Sequence, residues 1–197
     1  MGFILFILFL LLVFCLVFTL VKKGRFSRYA KIFRIISVIL GVGIFGFWFV
    51  QSSISRYLKD SLSAQIINKL PQPLDFYIIK IEKNADQIPK YKIEHLGKIR
   101  SDYFRLEYLQ MQKSNEFWIV GYLGKENLVY FSQHSVPNKN IDQIIEVNNY
   151  LIQSEKLAKI ADSEVEINGQ KEVIIGIWIT LDLLLLFLNL VLLFRRK

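Results

Sequence analysis

The sequence predicts an α+β membrane protein, in which a small antiparallel-sheet α+β domain is inserted between the second and third of three transmembrane helices. Two observations predict the helices: apolar runs occupy residues 3–21, 32–50 and 173–194, and basic residues flank them. A third observation predicts the domain, because residues 52–172 mix apolar and polar positions and are long enough to enclose a core.

The first apolar run, residues 3–21, resembles a signal peptide in its position but not in its pattern. A signal peptide has a basic start and a shorter apolar core. Here Met1 and Gly2 precede the run without a basic side chain, and the basic residues follow it. We therefore expect a retained transmembrane helix with its amino terminus outside.

The charge distribution predicts the orientation of the chain. The sequence has 25 Lys and Arg against 17 Asp and Glu, and residues 52–172 carry 16 of each. The excess of bases lies in the loop 22–31, at Arg34, and in the tail 195–197, as expected for cytoplasmic segments. The predicted topology determinants are Lys22, Lys23, Arg25, Arg28, Arg195, Arg196 and Lys197. A basic excess that flanks apolar runs indicates the lipid bilayer as a partner and argues against nucleic acid.

The second run, residues 32–50, contains small residues at positions that let another helix approach closely: Ser37, Gly41, Gly43 and Gly46. Close approach matters in lipid because no hydrophobic gain drives helices together there. The approaching helix can belong to this chain or to a partner subunit, and the sequence leaves both alternatives open.

Within the domain at residues 52–172, the pattern predicts a helix, four or five strands, and a second helix. Leu58, Leu62, Ile66 and Leu70 recur every four residues and predict an amphipathic helix over 52–72. Alternating segments predict strands between residues 74 and 135, and a run of isoleucines predicts a helix from about residue 138 to 161. The strands are rich in aromatic residues, which we expect in the core, with an exposed binding patch as the alternative.

The third run, residues 173–194, carries one acid, Asp182, near its middle. A carboxyl group at the bilayer centre costs about 2.5–3.5 kcal/mol, so it indicates a function by default. Asn189 lies seven residues later, on the same face of the helix. Two hypotheses follow: the pair joins helices within or between chains, for example through Ser37, or Asp182 titrates in proton or ion coupling.

The sequence offers little for catalysis. His95 and His134 have no Cys, Asp or Glu at metal-ligand spacing, and there is no phosphate-binding loop or nucleophile elbow. Cys15, the single cysteine, lies within the first apolar run, so no intramolecular disulfide forms. We expect no catalytic, cofactor-binding or metal-binding residue.

The function expected from these patterns is that of a non-catalytic subunit or assembly and scaffold factor of a larger envelope complex. Its localisation would be the bacterial inner membrane, multi-pass, with the domain in the periplasm and the carboxyl terminus inside. The expected partners are other integral membrane subunits and a periplasmic protein. The alternative is a subunit of a proton- or ion-coupled machine for energy transduction or secretion, with Asp182 as the titrating group.

Overall fold

A computed structural model describes residues 2–20, 25–54, 62–83, 89–111, 114–124, 126–139 and 141–194. The chain is α+β and divides into two compact units. The helical unit comprises residues 1–53 and 170–197, and the domain comprises residues 54–169.

Three helices are long and apolar enough to cross a membrane, which confirms that part of the predicted class. Helix α1 spans Gly2–Val17 and ends in a 3-10 turn at Phe18–Leu20. Helix α2 spans Arg25–Ile54, and helix α3 spans Glu155–Phe194. Both α2 and α3 extend beyond the apolar runs, and the part of each that crosses a bilayer stays a prediction.

The described residues of the domain form seven strands in two sheets. They are β1 Leu62–Asn68, β2 Leu74–Lys83, β3 Pro89–Ile99, β4 Phe104–Leu109, β5 Glu116–Leu123, β6 Asn127–Ser135 and β7 Gln143–Val147. A three-stranded sheet has the order β4-β1-β7, and a four-stranded sheet has the order β3-β2-β5-β6. All pairings are antiparallel except that of β1 with β7, which is parallel.

The core follows from strand periodicity, because alternate side chains point to opposite faces of a sheet. Residues from both sheets form one apolar cluster between them, and Ile66, Phe76 and Phe117 are among its fully buried members. The other face of the four-stranded sheet is covered by the first turns of α3, where Ala158 and Ala161 pack in a second cluster. The domain therefore has three layers rather than the predicted single sheet with helices on one face.

The predicted helix over residues 52–72 is wrong for most of its length. Helix α2 ends at Ile54, residues 55–61 lie outside the described part, and Leu62–Asn68 is strand β1. The four-residue spacing of Leu62, Ile66 and Leu70 misled the prediction, because four is a multiple of the strand period of two as well as close to the helix period. In β1, Leu62, Ala64 and Ile66 all point inward.

The predicted helix over about 138–161 is wrong in its first half. Gln143–Val147 is strand β7, and α3 begins only at Glu155. The β-branched residues Ile144, Ile145 and Val147 favour a strand. The Ser154 hydroxyl accepts a hydrogen bond from the Leu157 N–H at 3.4 Å, which is the contact of a helix N-cap. From there α3 continues without a break through Asn168 and Gly169 to Phe194.

Candidate functional site

Three polar side chains are buried in the helical unit: Ser37 on α2, and Asp182 and Asn189 on α3. Asp182 and Asn189 both have no exposed surface. A separation of seven residues is about two helical turns, so they lie on one side of α3 about 10 Å apart.

Asn189 joins the three helices. Its Nδ2 donates hydrogen bonds to the carbonyl oxygens of Leu12 on α1, at 3.1 Å, and of Leu185, at 2.9 Å. The Arg34 Nη2 on α2 donates to the Asn189 carbonyl oxygen at 3.4 Å. Hydrogen bonds from polar side chains to backbone carbonyls of another helix stabilise helix contacts in lipid, because a polar side chain without a partner is costly there.

Asp182 makes no such contact. Neither carboxylate oxygen has a hydrogen-bond partner among the described residues. The Ser37 hydroxyl, which the sequence offered as a partner, does not bond the Asp182 carboxylate. One turn after Asp182, Leu186 packs against Gly41 and lies near Leu8, so apolar groups surround this level of the unit. An unpaired carboxyl here can bind a proton or a donor group that reaches it, and it is costly as a free anion.

The three glycines of α2 occupy different environments. At Gly41 a Cβ atom would overlap the Leu186 Cδ1, so the absence of a side chain permits the contact between α2 and α3. At Gly43 and Gly46 a Cβ atom would meet nothing within 4 Å. The described part of this chain therefore uses Gly41 for packing and leaves Gly43 and Gly46 open.

The predicted topology determinants are described only in part. Arg25 begins α2, and Arg28 is exposed on its first turns. Lys22, Lys23, Arg195, Arg196 and Lys197 lie outside the described residues. The predicted orientation stays a prediction.

The two histidines are far apart in the domain, since they lie on the opposite edge strands of the four-stranded sheet, β3 and β6. His95 lies 2.8 Å from Asp75 Oδ1 and stacks on Tyr77. His134 lies within β6, stacks on Phe117, and contacts the Ser132 Oγ at 2.8 Å. Burial lowers the pKa of His134. Among the described residues, no group of three or more His, Cys, Asp or Glu side chains is placed to hold a metal ion.

Comparisons with known proteins assign no family. No family model matches the chain, and no curated protein matches it. A solved structure titled "Trapped Toxin" is similar over 44% of this chain, with 14% sequence identity and a TM-score of 0.27. The match covers 21% of that chain, so this chain spans about a fifth of its length. A similarity this low carries no argument about function.

The aromatic residues of the strands divide between two environments. Phe117, Trp118, Tyr122, Tyr130 and Phe131 are buried, as expected. Tyr103, Phe104 and Tyr108 are exposed, at 62%, 62% and 42% of their surface. Exposed aromatic residues therefore occur in the β4 region, and a role for them in binding a partner stays a prediction. A signal for this exposure was present in the sequence, because Phe104, Leu106 and Tyr108 alternate along one face of a single strand.

Sequence reasoning missed Asn68, which is fully buried at the end of β1. Its Nδ2 donates to the carbonyl oxygens of Gln72 and Ile99, both at 2.9 Å, and its Oδ1 accepts from the Leu70 N–H at 3.1 Å. It thus holds two turns together. The signal was an Asn directly before a Pro-containing segment, where its side chain often bonds to the backbone.

Proposed function

We propose that this protein is a non-catalytic membrane subunit or assembly and scaffold factor of a larger envelope complex in the bacterial inner membrane. The observation that carries the proposal is the exposed apolar surface on the outer side of the three-stranded sheet, where Phe104 and Ile144 are 62% and 67% exposed. Aromatic and aliphatic groups gathered on one face mark interaction sites more often than isolated ones do.

The helical unit supports the proposal in two ways. Its polar contacts and Gly41 are used within the chain, which gives a self-contained anchor. Gly43 and Gly46 are open, so a helix of another integral membrane protein can approach α2 closely at those positions. The periplasmic position of the domain, with the amino terminus outside and the carboxyl terminus inside, rests on the basic loop and tail.

The experiment that tests this function is purification of the tagged full chain from its native membranes in a mild detergent, with mass spectrometry of the proteins that accompany it. We expect a membrane protein in a fixed stoichiometric ratio. A matched purification of Gly43→Leu, which fills an open position on α2, should recover less of that partner than a purification of Leu40→Ile, an exposed site on the same helix. Recovery of this chain alone would contradict the proposal.

A second candidate function is favoured by Asp182. A fully buried carboxyl without a described partner is costly, and such groups carry protons in many pumps and transporters. In this alternative the chain is a subunit of a proton- or ion-coupled machine for energy transduction or secretion, and Asp182 is the titrating group.

Two substitutions separate the candidates. Asn keeps the shape and hydrogen-bonding groups of Asp182 but cannot ionise, whereas Leu keeps neither. If the scaffold function is correct, Asp182→Asn retains the activity of the complex. If the coupling function is correct, Asp182→Asn and Asp182→Leu both abolish activity while the complex still assembles, as judged by the same purification.

A further inference from the structure

The outward sheet face is the solvent side of the three-stranded sheet. Strand pairing sets its members, because side chains opposite each other in a ladder share a face. Its outward positions are Phe104, Leu106 and Tyr108 on β4, Ser63, Gln65 and Ile67 on β1, and Ile144 and Glu146 on β7. The pairing places Leu106, Gln65 and Ile144 in one row, and Phe104, Ile67 and Glu146 in the next.

Four exposed large apolar residues of the domain lie on this face: Phe104, Leu106, Tyr108 and Ile144. The large apolar residues exposed in the described part of residues 54–169 are Tyr103, Phe104, Leu106, Tyr108, Ile141, Ile144, Tyr150, Leu151, Ile152 and Ile167. Tyr103 and Ile141 come shortly before β4 and β7, whereas Tyr150, Leu151 and Ile152 lie beside β6 and Ile167 lies on α3. The outward sheet face therefore carries the largest group of exposed apolar residues in the described part of the domain. A protein surface with an apolar, aromatic centre and a polar rim has the composition of a protein–protein interface.

The charge on the face decides between possible occupants. Glu146 is the one charged residue among the eight outward positions, its side chain is exposed, and its carboxylate makes no hydrogen bond or ion pair with another described residue. A face that carries an acid and no base is repelled by anionic lipid headgroups, which attract Lys and Arg. Self-association would add a second unneutralised Glu146 to the same interface, which costs free energy when charges are desolvated.

We infer that the outward sheet face docks a different protein, one that presents an apolar surface with a lysine or arginine opposite Glu146. This inference rests on the proposed function and names the chemistry of the partner. The apolar groups of β4 and β7 supply contact area, and the Glu146 carboxylate sets the position and identity of the partner through an ion pair that is sheltered from water.

The test uses the full chain in its native membranes, with a photoreactive amino acid in place of Ile144. The matched control carries the same group in place of Lys98, which is exposed on the four-stranded sheet. We expect a protein adduct from the Ile144 position and none of that mass from the Lys98 position. Glu146→Lys should lower the adduct yield at least about tenfold, and Glu146→Gln should lower it less, because reversal adds repulsion to the loss of the pair.

The decisive step is a charge exchange. Once mass spectrometry identifies the crosslinked partner and the basic residue nearest the crosslink, changing that residue to Glu should restore the adduct of the Glu146→Lys chain. An adduct with lipid, an adduct of two copies of this chain, no adduct, or a yield unchanged by Glu146→Lys would each overturn the inference. If a partner still co-purifies in those cases, the scaffold function stands and the docking face is elsewhere. If no partner co-purifies, the proposed function fails as well.

Discussion

Asn68 in the domain and Asp182 in the helical unit are both polar side chains without exposed surface, yet their surroundings are opposite. Every hydrogen-bonding group of the Asn68 side chain faces a backbone group, through two donated bonds and one accepted bond. Neither carboxylate oxygen of Asp182 has a partner among the described residues. Burial of the polar side chain therefore stabilises the fold at Asn68 and destabilises it at Asp182.

The difference follows from what each side chain replaces. At Asn68 the turns after β1 and β3 leave backbone carbonyl and N–H groups inside the domain, and the amide satisfies them in place of water. At Asp182 the N–H and C=O groups of the surrounding helices already bond one another. The carboxyl therefore satisfies no backbone group, and its own oxygens lack hydrogen-bond donors. Asn189 is intermediate, since its Nδ2 is bonded and its Oδ1 is not. A buried polar residue that stabilises nothing is the stronger indication of a function.

The largest effect is expected at Asn68. Asn68→Leu keeps the branching of the side chain but leaves two carbonyl oxygens and one N–H unpaired inside the domain. At about 1–3 kcal/mol for each buried unsatisfied group, we expect a loss of at least about 3 kcal/mol in the free energy of unfolding. Urea titration of the full chain in detergent, followed by hydrogen exchange of the β1 amides, measures it.

The control for Asn68→Leu is Gln65→Leu, because Gln65 lies on the same strand but points to the outward face. That variant should change the stability of the domain by less than about 0.5 kcal/mol. Equal losses in both variants would show that the contacts of Asn68 contribute little.

Asp182→Leu is expected to change stability in the opposite direction. Removing an unpaired carboxyl from the centre of the helical unit should stabilise that unit by roughly 2 kcal/mol. Unfolding of the full chain by a denaturing detergent, monitored through the loss of helical circular dichroism, measures the change. Asn189→Leu is the matched control, and it should destabilise the unit by about 1 kcal/mol because the bond to Leu12 is lost. Destabilisation by Asp182→Leu would mean that the carboxyl has a stabilising partner.

The comparison also explains how much of the fold was predictable. The three helices were predicted because a long apolar run has few alternatives in a bilayer. The strands between residues 74 and 135 were predicted because apolar and polar residues alternate along them, and the bulge beside Gly97 leaves β3 continuous. The strands β1 and β7 were missed because their isoleucines and leucines are spaced in ways that suit both periods, and the parallel pairing between them is decided by contacts distant in sequence.

The candidate site residues were predictable where a single stretch of sequence identifies them, and their contacts with residues distant in sequence were not. An acid inside an apolar run is visible in sequence, so Asp182 and Asn189 were identified. Which groups reach them is not visible, and the contacts of Asn189 with Leu12 and Arg34 join residues on three helices. Glu146 was not singled out because its segment was taken for a helix, and its position beside Ile67 depends on the pairing of β7 with β1.

A smaller effect is expected at Gly41. A methyl group there would overlap the Leu186 Cδ1, and because that atom ends a flexible side chain the cost of Gly41→Ala should be about 1 kcal/mol. Gly43→Ala is the matched control, since nothing lies within 4 Å of its Cβ position. The same detergent unfolding assay compares the two variants. If both have the same stability, α2 and α3 do not pack through Gly41.

The smallest effect is expected from the pH dependence of the domain at His134. Because burial lowers the pKa of His134, the folded chain binds a proton at this site less readily than the unfolded chain. Its contribution to stability is therefore complete above the unfolded pKa of about 6.5 and is lost as the pH falls toward the lower pKa of the folded state.

His134→Gln, which cannot be protonated, should flatten the change in stability between about pH 7.5 and about pH 5, whereas Asn127→Ala, an exposed site on the same strand, should leave it unchanged. Urea titration with hydrogen exchange of the β6 amides at the two pH values measures this difference. An equal pH dependence in wild type and His134→Gln would show that His134 is solvated enough to protonate in the folded domain, and its stacking on Phe117 would then not exclude water.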